Sequence, residues 1–334
     1  MSDALPESEP AVSEPQPKPL FARPIPTEPE RPPFWQRIIA FVIDGLIIGV
    51  AGWIAGFLFA SWLSALGPWG RVVGGLLGVV YFGIGYSKLT HGRTPGKRIT
   101  RIAVTRRDGS YLSVPAGFAR AAILMLPIAC NGLAIATASW VVPTITSIVV
   151  FGLGGGTLYL FLFNRQTRQG LHDLATGSIV VPIVWGEAQR SQHVIWRGHF
   201  VAMGAVLLGW FGLFSIAGLI VRNRVDLSSL LVAQRNIVAL TDSTNVQVTE
   251  MSTFGGGGRQ TWLKTTAVTY SPRSEPERLA NGIAAIILRD IPDASNRSRI
   301  VVTTVQGFDI VFAKSWHSQT WNYTPAEWQE RIRR

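Results

Sequence analysis

The residue best placed to do chemistry is Asp44, which lies inside an apolar run over residues 38–63. About 20 residues of helix span about 30 Å of hydrocarbon, so this run is long enough to cross a bilayer. A carboxylate at that depth costs at least about 2.5 kcal/mol, and intramembrane acids are candidates for proton or ion handling. Arg37 lies about two helical turns earlier, on the same face, so the spacing predicts that it compensates Asp44.

A second acid, Asp173, follows another apolar run and is expected on the same side of the membrane as Arg37. Two interpretations of the three charged residues stay open. They could form an ion-pair clasp that fixes helix register, since buried charges need partners. They could equally serve transport or ion coordination, because acids at membrane depth are often functional.

The elements that would position these residues are apolar segments. Hydrophobic residues make up 47% of the 334-residue chain and charged residues only 15%, a profile typical of membrane proteins. We predict five transmembrane helices. They cover residues 38–63, 72–87, 119–138, 142–163 and 200–221.

The basic residues predict how these helices are oriented. Residues 37–221 hold fourteen Lys and Arg against four Asp and Glu, and most of the cations lie in the loop over residues 88–120. The loop over residues 64–70 has none. By the positive-inside rule, the 88–120 loop and the N-terminus are cytoplasmic. Five helices then place the C-terminal domain outside the cytoplasm, although the arginines that flank the fifth helix do not favour that side. The same loop is expected to contact anionic lipid headgroups.

The two ends of the chain differ from this membrane region. Residues 1–33 are rich in Pro and Glu and predict a disordered tail. Residues 185–222 form a linker and the fifth helix, and residues 223–334 predict a small α+β domain. Its expected elements are a strand (260–270), a helix (275–289), a hairpin of strands 299–304 and 308–314 turning at Gln306-Gly307, and a short helix (325–333). The Gly255–Gly258 run predicts a flexible hinge.

The fold class is therefore mainly α: a multi-pass transmembrane helical bundle with a small C-terminal α+β soluble domain. Three stretches of the bundle resemble the RDD family of membrane proteins, named for one arginine and two aspartates. They run from Phe34 to Asp44, from Gly92 to Arg98 and from Leu171 to Gly177. The resemblance covers about residues 34–184.

The resemblance implies a multi-pass membrane protein, commonly bacterial, for which transport has been suggested. It places the named residues at Arg37, Asp44 and Asp173. A secondary loop motif accompanies them and consists of Gly92, Thr94, Gly96, Lys97 and His172.

Several other functions find no support in the sequence. The Gly92–Lys97 segment lacks the glycine spacing and the Ser or Thr of a phosphate-binding loop. The histidines lack zinc-site spacing, no nucleic-acid-binding module is evident, and no catalytic motif is found. We therefore expect no metal, no cofactor, no nucleic acid and no enzymatic activity.

Two functions remain. The first is a transport-related or ion-handling role through the Arg/Asp/Asp cluster near the cytoplasmic leaflet of a bacterial inner membrane. The second is a non-catalytic anchor or sensor that presents residues 223–334 to a protein partner. The sequence predicts no particular oligomeric state.

Overall fold

The computed structural model describes residues 34–133, 141–184, 187–188, 195–224, 228–241, 245–255, 258–269 and 275–334. The predicted tail over residues 1–33 lies outside these residues. So do the last part of the third predicted transmembrane helix and most of the linker between residues 185 and 194.

The first two thirds of the described chain are mainly helical. The long helices follow the predicted apolar segments, and the two shortest ones lie in the connections between them. In chain order these helices are α1 (Phe34–Ala65), α2 (Gly70–Tyr86), α3 (Pro95–Ile99), α4 (Val114–Cys130), α5 (Val141–Ser147), α6 (Gly156–Phe163), α7 (Leu171–Ala175) and α8 (Gly198–Arg224). A π-helical segment, Ile148–Gly155, joins α5 to α6 without a break.

Two of these helical stretches are long and apolar enough to cross a membrane: Phe34–Ala65 and Thr144–Phe163. Only 11% of the most apolar window of each is buried, which is far less than a core helix of a soluble protein would show. The helices α2 and α4 have 17 residues each, and the described apolar part of α8 is Gly198–Leu213. The structure therefore supports two of the five predicted transmembrane helices by length and composition.

The sequence of α1 explains its exposure. The helix is apolar on all sides, and Trp53 and Phe57 are 70% and 80% exposed to the surroundings. An all-round apolar helix that protein does not cover is suited to lipid. The backbone leaves helical geometry at Phe59, where α1 kinks.

A small antiparallel sheet lies at the Arg37 end of the helices. Strand β1 (Ile102–Arg106) pairs with β2 (Ser178–Val184), which pairs with β3 (Glu187–Ala188). Strand β1 follows the Gly92–Arg98 segment, and β2 follows the Leu171–Gly177 segment. Their pairing brings together two loops that are separated by about seventy residues of sequence.

The C-terminal region is an α+β unit, as predicted. Its elements are α9 (Ser228–Thr241), β4 (Asn245–Gly255), β5 (Gly258–Thr269), α10 (Pro276–Asp290), β6 (Arg299–Asp309), β7 (Lys314–Tyr323) and α11 (Pro325–Arg333). The sheet order is β4-β5-β6-β7, and only β5 and β6 are parallel, joined by the α10 crossover. Leu279, Ile283 and Ile287 of α10 pack at helical spacing against this sheet.

One turn prediction in this unit is wrong. The residues Gln306-Gly307 do not turn the chain, because β6 continues through them to Asp309 and pairs with β7 throughout. Gly255 pairs with Gly258 at the end of the β4–β5 hairpin, and the middle of the predicted hinge, residues 256–257, lies outside the described residues. The sequence analysis also missed α9 and β4.

The tip of the β6–β7 hairpin packs against the helices of the first region. Phe308 and Ile310 form a buried cluster with Leu63 near the end of α1. Arg71 of α2 forms an ion pair with Asp309 at 2.6 Å between Nη1 and Oδ2. The hairpin therefore contacts the C-terminal half of α1, whereas Arg37 lies at the opposite end of that helix.

Candidate functional site

Asp44 is completely buried and is held by three neutral donors. Its Oδ1 accepts hydrogen bonds from the Tyr81 hydroxyl at 3.0 Å and the Gly96 amide at 2.8 Å. Its Oδ2 accepts a hydrogen bond from the Thr94 hydroxyl at 2.5 Å. Three hydrogen bonds satisfy most of the acceptor capacity of a carboxylate, so Asp44 needs no cation in direct contact.

The Gly92–Lys97 motif forms the wall of this cage. Thr94 caps α3, because its hydroxyl accepts a hydrogen bond from the Lys97 amide. Gly96 approaches α1 so closely that an added Cβ would lie 2.2 Å from the Ala40 carbonyl oxygen. Gly92 has φ +63°, a conformation that favours glycine, and its Cβ would overlap the Val104 carbonyl. The motif thus positions donors around a carboxylate and is not a phosphate loop.

Asp173 forms a different kind of site, with two guanidinium groups. Its Oδ1 accepts hydrogen bonds from Nε and Nη2 of Arg120, at 3.0 and 2.6 Å. Its Oδ2 forms an ion pair with Nη2 of Arg37 at 2.8 Å and also accepts a hydrogen bond from the Gly170 amide. Asp173 therefore links α1, α4 and α7 through buried charge-assisted hydrogen bonds.

The predicted pairing of Arg37 with Asp44 is wrong. The guanidinium of Arg37 instead donates hydrogen bonds to Asp173 and to the Arg168 carbonyl oxygen. Seven residues of helix rise about 10 Å, which exceeds the reach of a direct ion pair between these two side chains. The structure does bring Arg37 together with Asp173. It places Asp44 in a separate cage formed by Tyr81, Thr94 and Gly96.

Lys97 lies between the two carboxylate sites. Its ammonium nitrogen is 5.0 Å from the centre of the Tyr86 ring, and Arg120 lies 4.1 Å from the same ring. Burial lowers the pKa of Lys97 to about 7, and Arg120 shifts the pKa in the same direction while Asp44 opposes the shift. The site therefore contains an amine that changes charge near neutral pH.

His172 is also buried beside Asp173. Burial lowers the pKa of His172 to about 3, against the opposing effect of Asp173, so the imidazole is neutral at physiological pH. Burial alone would raise the pKa of Asp173, but Arg120 and Arg37 hold it well below its usual value. Asp173 is thus permanently ionised, which suits a fixed structural anion.

Sequence reasoning missed two important residues. Arg120 was counted only as a loop cation, although it is 2% exposed and lies within the apolar helix α4. The position of Arg120 inside an apolar helical pattern could have predicted that its guanidinium is buried and paired with an acid. Tyr81 gave a weaker signal, because a tyrosine in an apolar helix can also act as an interfacial anchor.

Within the described ranges, no group of three or more His, Cys, Asp or Glu residues is arranged to hold a metal ion. The Asp44 cage presents hydroxyl and amide donors, which favour an anionic carboxylate over a coordinated cation in this conformation. Tyr81 and Thr94 could offer lone pairs to a cation only after their hydroxyls rotate.

Comparison with known proteins adds one finding. The sequence model of a protein family described as "RDD family" matches residues 31–177. This range includes Arg37, Asp44, Asp173 and the Gly92–Lys97 motif. Neither the curated proteins nor the solved structures contain a match to this chain. The family match and the apolar helices together point to a membrane protein. Residues 31–177 of this chain are thus similar to the RDD family.

Proposed function

We propose that this protein is a multi-pass protein of a bacterial cytoplasmic membrane, with a cytoplasmic N-terminus and an extracytoplasmic C-terminal domain. The exposed apolar faces of α1 and of the 144–163 helix support insertion in lipid. The basic 88–120 loop supports this orientation and contact with anionic headgroups. No enzymatic activity is proposed.

Within this architecture we propose an ion-handling, transport-related role centred on Asp44. The observation that carries the proposal is a fully buried carboxylate without a direct ionic partner among the described residues. The charge of such a group is not committed to a salt bridge. Lys97, whose pKa of about 7 reflects burial, lies close enough to be electrostatically coupled to Asp44.

The Arg37–Asp173–Arg120 network receives a different role in this proposal. Its carboxylate is doubly paired, so protonating it would leave two buried guanidinium groups uncompensated, at a cost of about 3–5 kcal/mol. That penalty favours a structural clasp. The clasp and ion-handling interpretations of the RDD residues therefore apply to different carboxylates.

Proton flux in proteoliposomes tests the ion-handling role. The full-length protein is reconstituted with a trapped pH-sensitive dye, and internal pH is followed after imposing a Na⁺ or K⁺ gradient. We expect wild-type protein to move protons and Asp44→Asn to reduce the initial rate at least about tenfold, since an amide cannot exchange a proton in this range.

Asp108→Asn is the matched control, because Asp108 is an exposed acid in the 88–120 loop. It should transport like wild type. Equal rates for Asp44→Asn and wild type, with both proteins eluting as folded species from a sizing column, would remove the ion-handling role. Absence of cation-driven proton flux in the wild type would remove it as well.

A second function, that of an anchor or sensor, is favoured by the docked β6–β7 hairpin. The hairpin tip contacts α1 and α2, so a movement of the C-terminal domain would be transmitted to these helices. Strand β7 is an edge strand and its side chains are mostly exposed, which leaves it free to meet a protein partner.

Photo-cross-linking in intact cells tests this second function. A photoreactive residue replaces Trp316 on β7, and the same residue at Lys88 serves as the exposed control on the other side of the molecule. If β7 binds a protein partner, we expect one discrete cross-linked band from the β7 position and no band of that size from the control. No discrete band from β7 would count against the sensor role.

A further inference from the structure

A cavity of about 460 Å³ lies beside the two carboxylate sites, between α1 and the helical stretch Thr144–Phe163. Residues of α4 also line it. Its volume falls in the range of ligand pockets, about 300–1,000 Å³. The cavity does not include Asp44 or Asp173 in its lining, so it is a separate feature from the carboxylate cages. Its walls and its inner end differ in chemistry.

The inner end of the cavity is cationic. Arg37, Lys97 and Arg120 all line it, together with the neutral His172. Three cations face the two nearby carboxylates, which leaves one positive charge in excess when Lys97 is protonated. Cations buried at the end of a cavity attract an anion, because the low local dielectric strengthens the interaction.

Two of these cations have unused hydrogen-bonding capacity. The Nη1 atom of Arg120 is buried and has no partner in the described part of the chain. Lys97 is 5% exposed, and its ammonium group has no hydrogen-bond acceptor among the described residues. Buried donors without acceptors are rare in proteins, so these groups indicate a missing acceptor.

The walls of the cavity are apolar and reach the outside of the bundle. Phe41 and Val42 of α1 form one wall, and Leu158 of α6 lies in the other. Val42 and Leu158 are 52% and 58% exposed, so the cavity is not closed off from the surroundings of the helices. In a membrane those surroundings are lipid chains.

We propose that this cavity binds one anionic phospholipid, with its phosphate against Lys97 and Arg120 and an acyl chain along the wall between α1 and α6. The occupant must be an anion to match the unpartnered cations, and it must carry an apolar tail to match the walls. A phospholipid of the inner leaflet has both properties and can enter sideways from the bilayer. This site is distinct from headgroup contacts at the surface of the 88–120 loop, and it does not depend on ion handling by Asp44.

Native mass spectrometry of the purified full-length protein tests this site. The probes are dioctanoyl phosphatidylglycerol, dioctanoyl phosphatidylcholine and glycerol 3-phosphate, titrated into detergent solution. We expect phosphatidylglycerol to bind about tenfold more tightly than phosphatidylcholine, because the cations of the cavity repel the choline group and attract a lipid of net negative charge. Glycerol 3-phosphate should not displace it.

Two substitutions address the two ends of the cavity. Lys97→Gln removes the cation and should abolish the preference for phosphatidylglycerol, while Leu158→Trp fills the wall and should weaken both phospholipids. Lys88→Gln, at an exposed lysine of the same loop, and Leu208→Trp, at an exposed leucine of α8, are the matched controls. Both controls should bind like wild type.

The proposal fails if wild-type protein binds the two phospholipids equally, or if both cavity variants bind like wild type. Equal losses in Lys88→Gln and Lys97→Gln would assign the effect to surface charge and overturn the cavity site. Displacement of phosphatidylglycerol by glycerol 3-phosphate at similar concentration would assign the site to soluble phosphates instead. Unfolding temperatures measured without lipid establish that the variants are folded.

Discussion

At the scale of single residues, this protein buries two carboxylates in opposite ways. Asp173 is neutralised by Arg37 and Arg120, whereas Asp44 accepts hydrogen bonds only from neutral groups among the described residues. The first arrangement pairs the carboxylate with cations, and the second leaves it without an ionic partner in the described part of the chain. The difference separates a structural site from a candidate functional one.

The sequence identified both acids but assigned the wrong partner to Asp44. Helical periodicity shows which residues share a face of α1, but it does not show which loop folds against that face. The donors from Thr94 and Gly96 reach Asp44 from about fifty residues away, through the short helix α3. Single-sequence patterns hold no information about such distant contacts, whereas the family resemblance did group the right segments.

The buried amine of Lys97 predicts a pH dependence of stability. Its pKa is about 7 when folded and 10.5 as the ordinary value, so between these pH values the unfolded chain binds a proton that the folded protein does not. Stability should therefore rise with pH over this window, by up to about 1.4 kcal/mol per pH unit. Below pH about 7 both states are protonated and Lys97 contributes no slope.

Thermal unfolding of the purified protein in detergent, measured at several pH values between about 7 and 10, checks this prediction. Lys97→Met should remove most of the rise, and Lys88→Met, at an exposed lysine, should retain it. Identical pH profiles for wild type and Lys97→Met would show that Lys97 is not buried as a shifted amine.

At the scale of elements, the main finding is how closely the β6–β7 hairpin approaches α2. An added Cβ on Gly74 would lie 1.9 Å from the Ile310 carbonyl oxygen, and one on Gly78 would lie 2.9 Å from the Phe312 ring. The chain turns through Ile310–Ala313, and Val311 adopts φ +71°, which is strained for a β-branched residue. Surrounding contacts must hold that conformation.

This packing explains why the hairpin turn was misplaced. Turn prediction relies on Gly and polar residues, because most turns face water. Here the tip is apolar and lies against the helices, so hydrophobic burial selects Val311 and Phe312 for the turn. Gly307, which looked like the turn, instead allows the strands to meet closely, since its Cβ would overlap the Ser315 carbonyl oxygen.

Gly74→Ala should therefore displace the hairpin from α2. We expect a loss of about 1–3 kcal/mol of unfolding free energy, as for other overpacked contacts, together with faster hydrogen exchange at residues 309–314. Gly45→Ala is the control, because no atom lies within 4 Å of its added Cβ. Unchanged exchange at the hairpin tip in Gly74→Ala would contradict the docked arrangement.

At the scale of the whole molecule, the structure separates two regions along α1. The carboxylate sites lie at its Arg37 end, and the C-terminal domain docks near Leu63 at the other end. Apolar composition, strand alternation and helical spacing predicted the helical region, the α+β unit and their order. They could not predict the docking, because it depends on tertiary contacts between Arg71 and Asp309 across more than two hundred residues.

Cysteine accessibility in cells tests the proposed orientation. In a Cys130→Ser background, single cysteines are introduced at Ser110, in the basic loop, and at Ser252, on β4. Both positions are exposed. A membrane-impermeant thiol reagent should label the Ser252 position in intact cells and the Ser110 position only after lysis. Labelling of both from the same side would exclude an odd number of membrane crossings between them.

The separation of the two carboxylate sites is tested most directly by two double-mutant cycles on unfolding free energy, one pairing Arg37→Gln with Asp173→Asn and the other pairing Arg37→Gln with Asp44→Asn. The structure predicts a coupling of about 1–3 kcal/mol in the first cycle, because these side chains are in direct contact. In the second cycle it predicts a coupling within about 0.5 kcal/mol of zero. A coupling as large between Arg37 and Asp44 as between Arg37 and Asp173 would contradict this account.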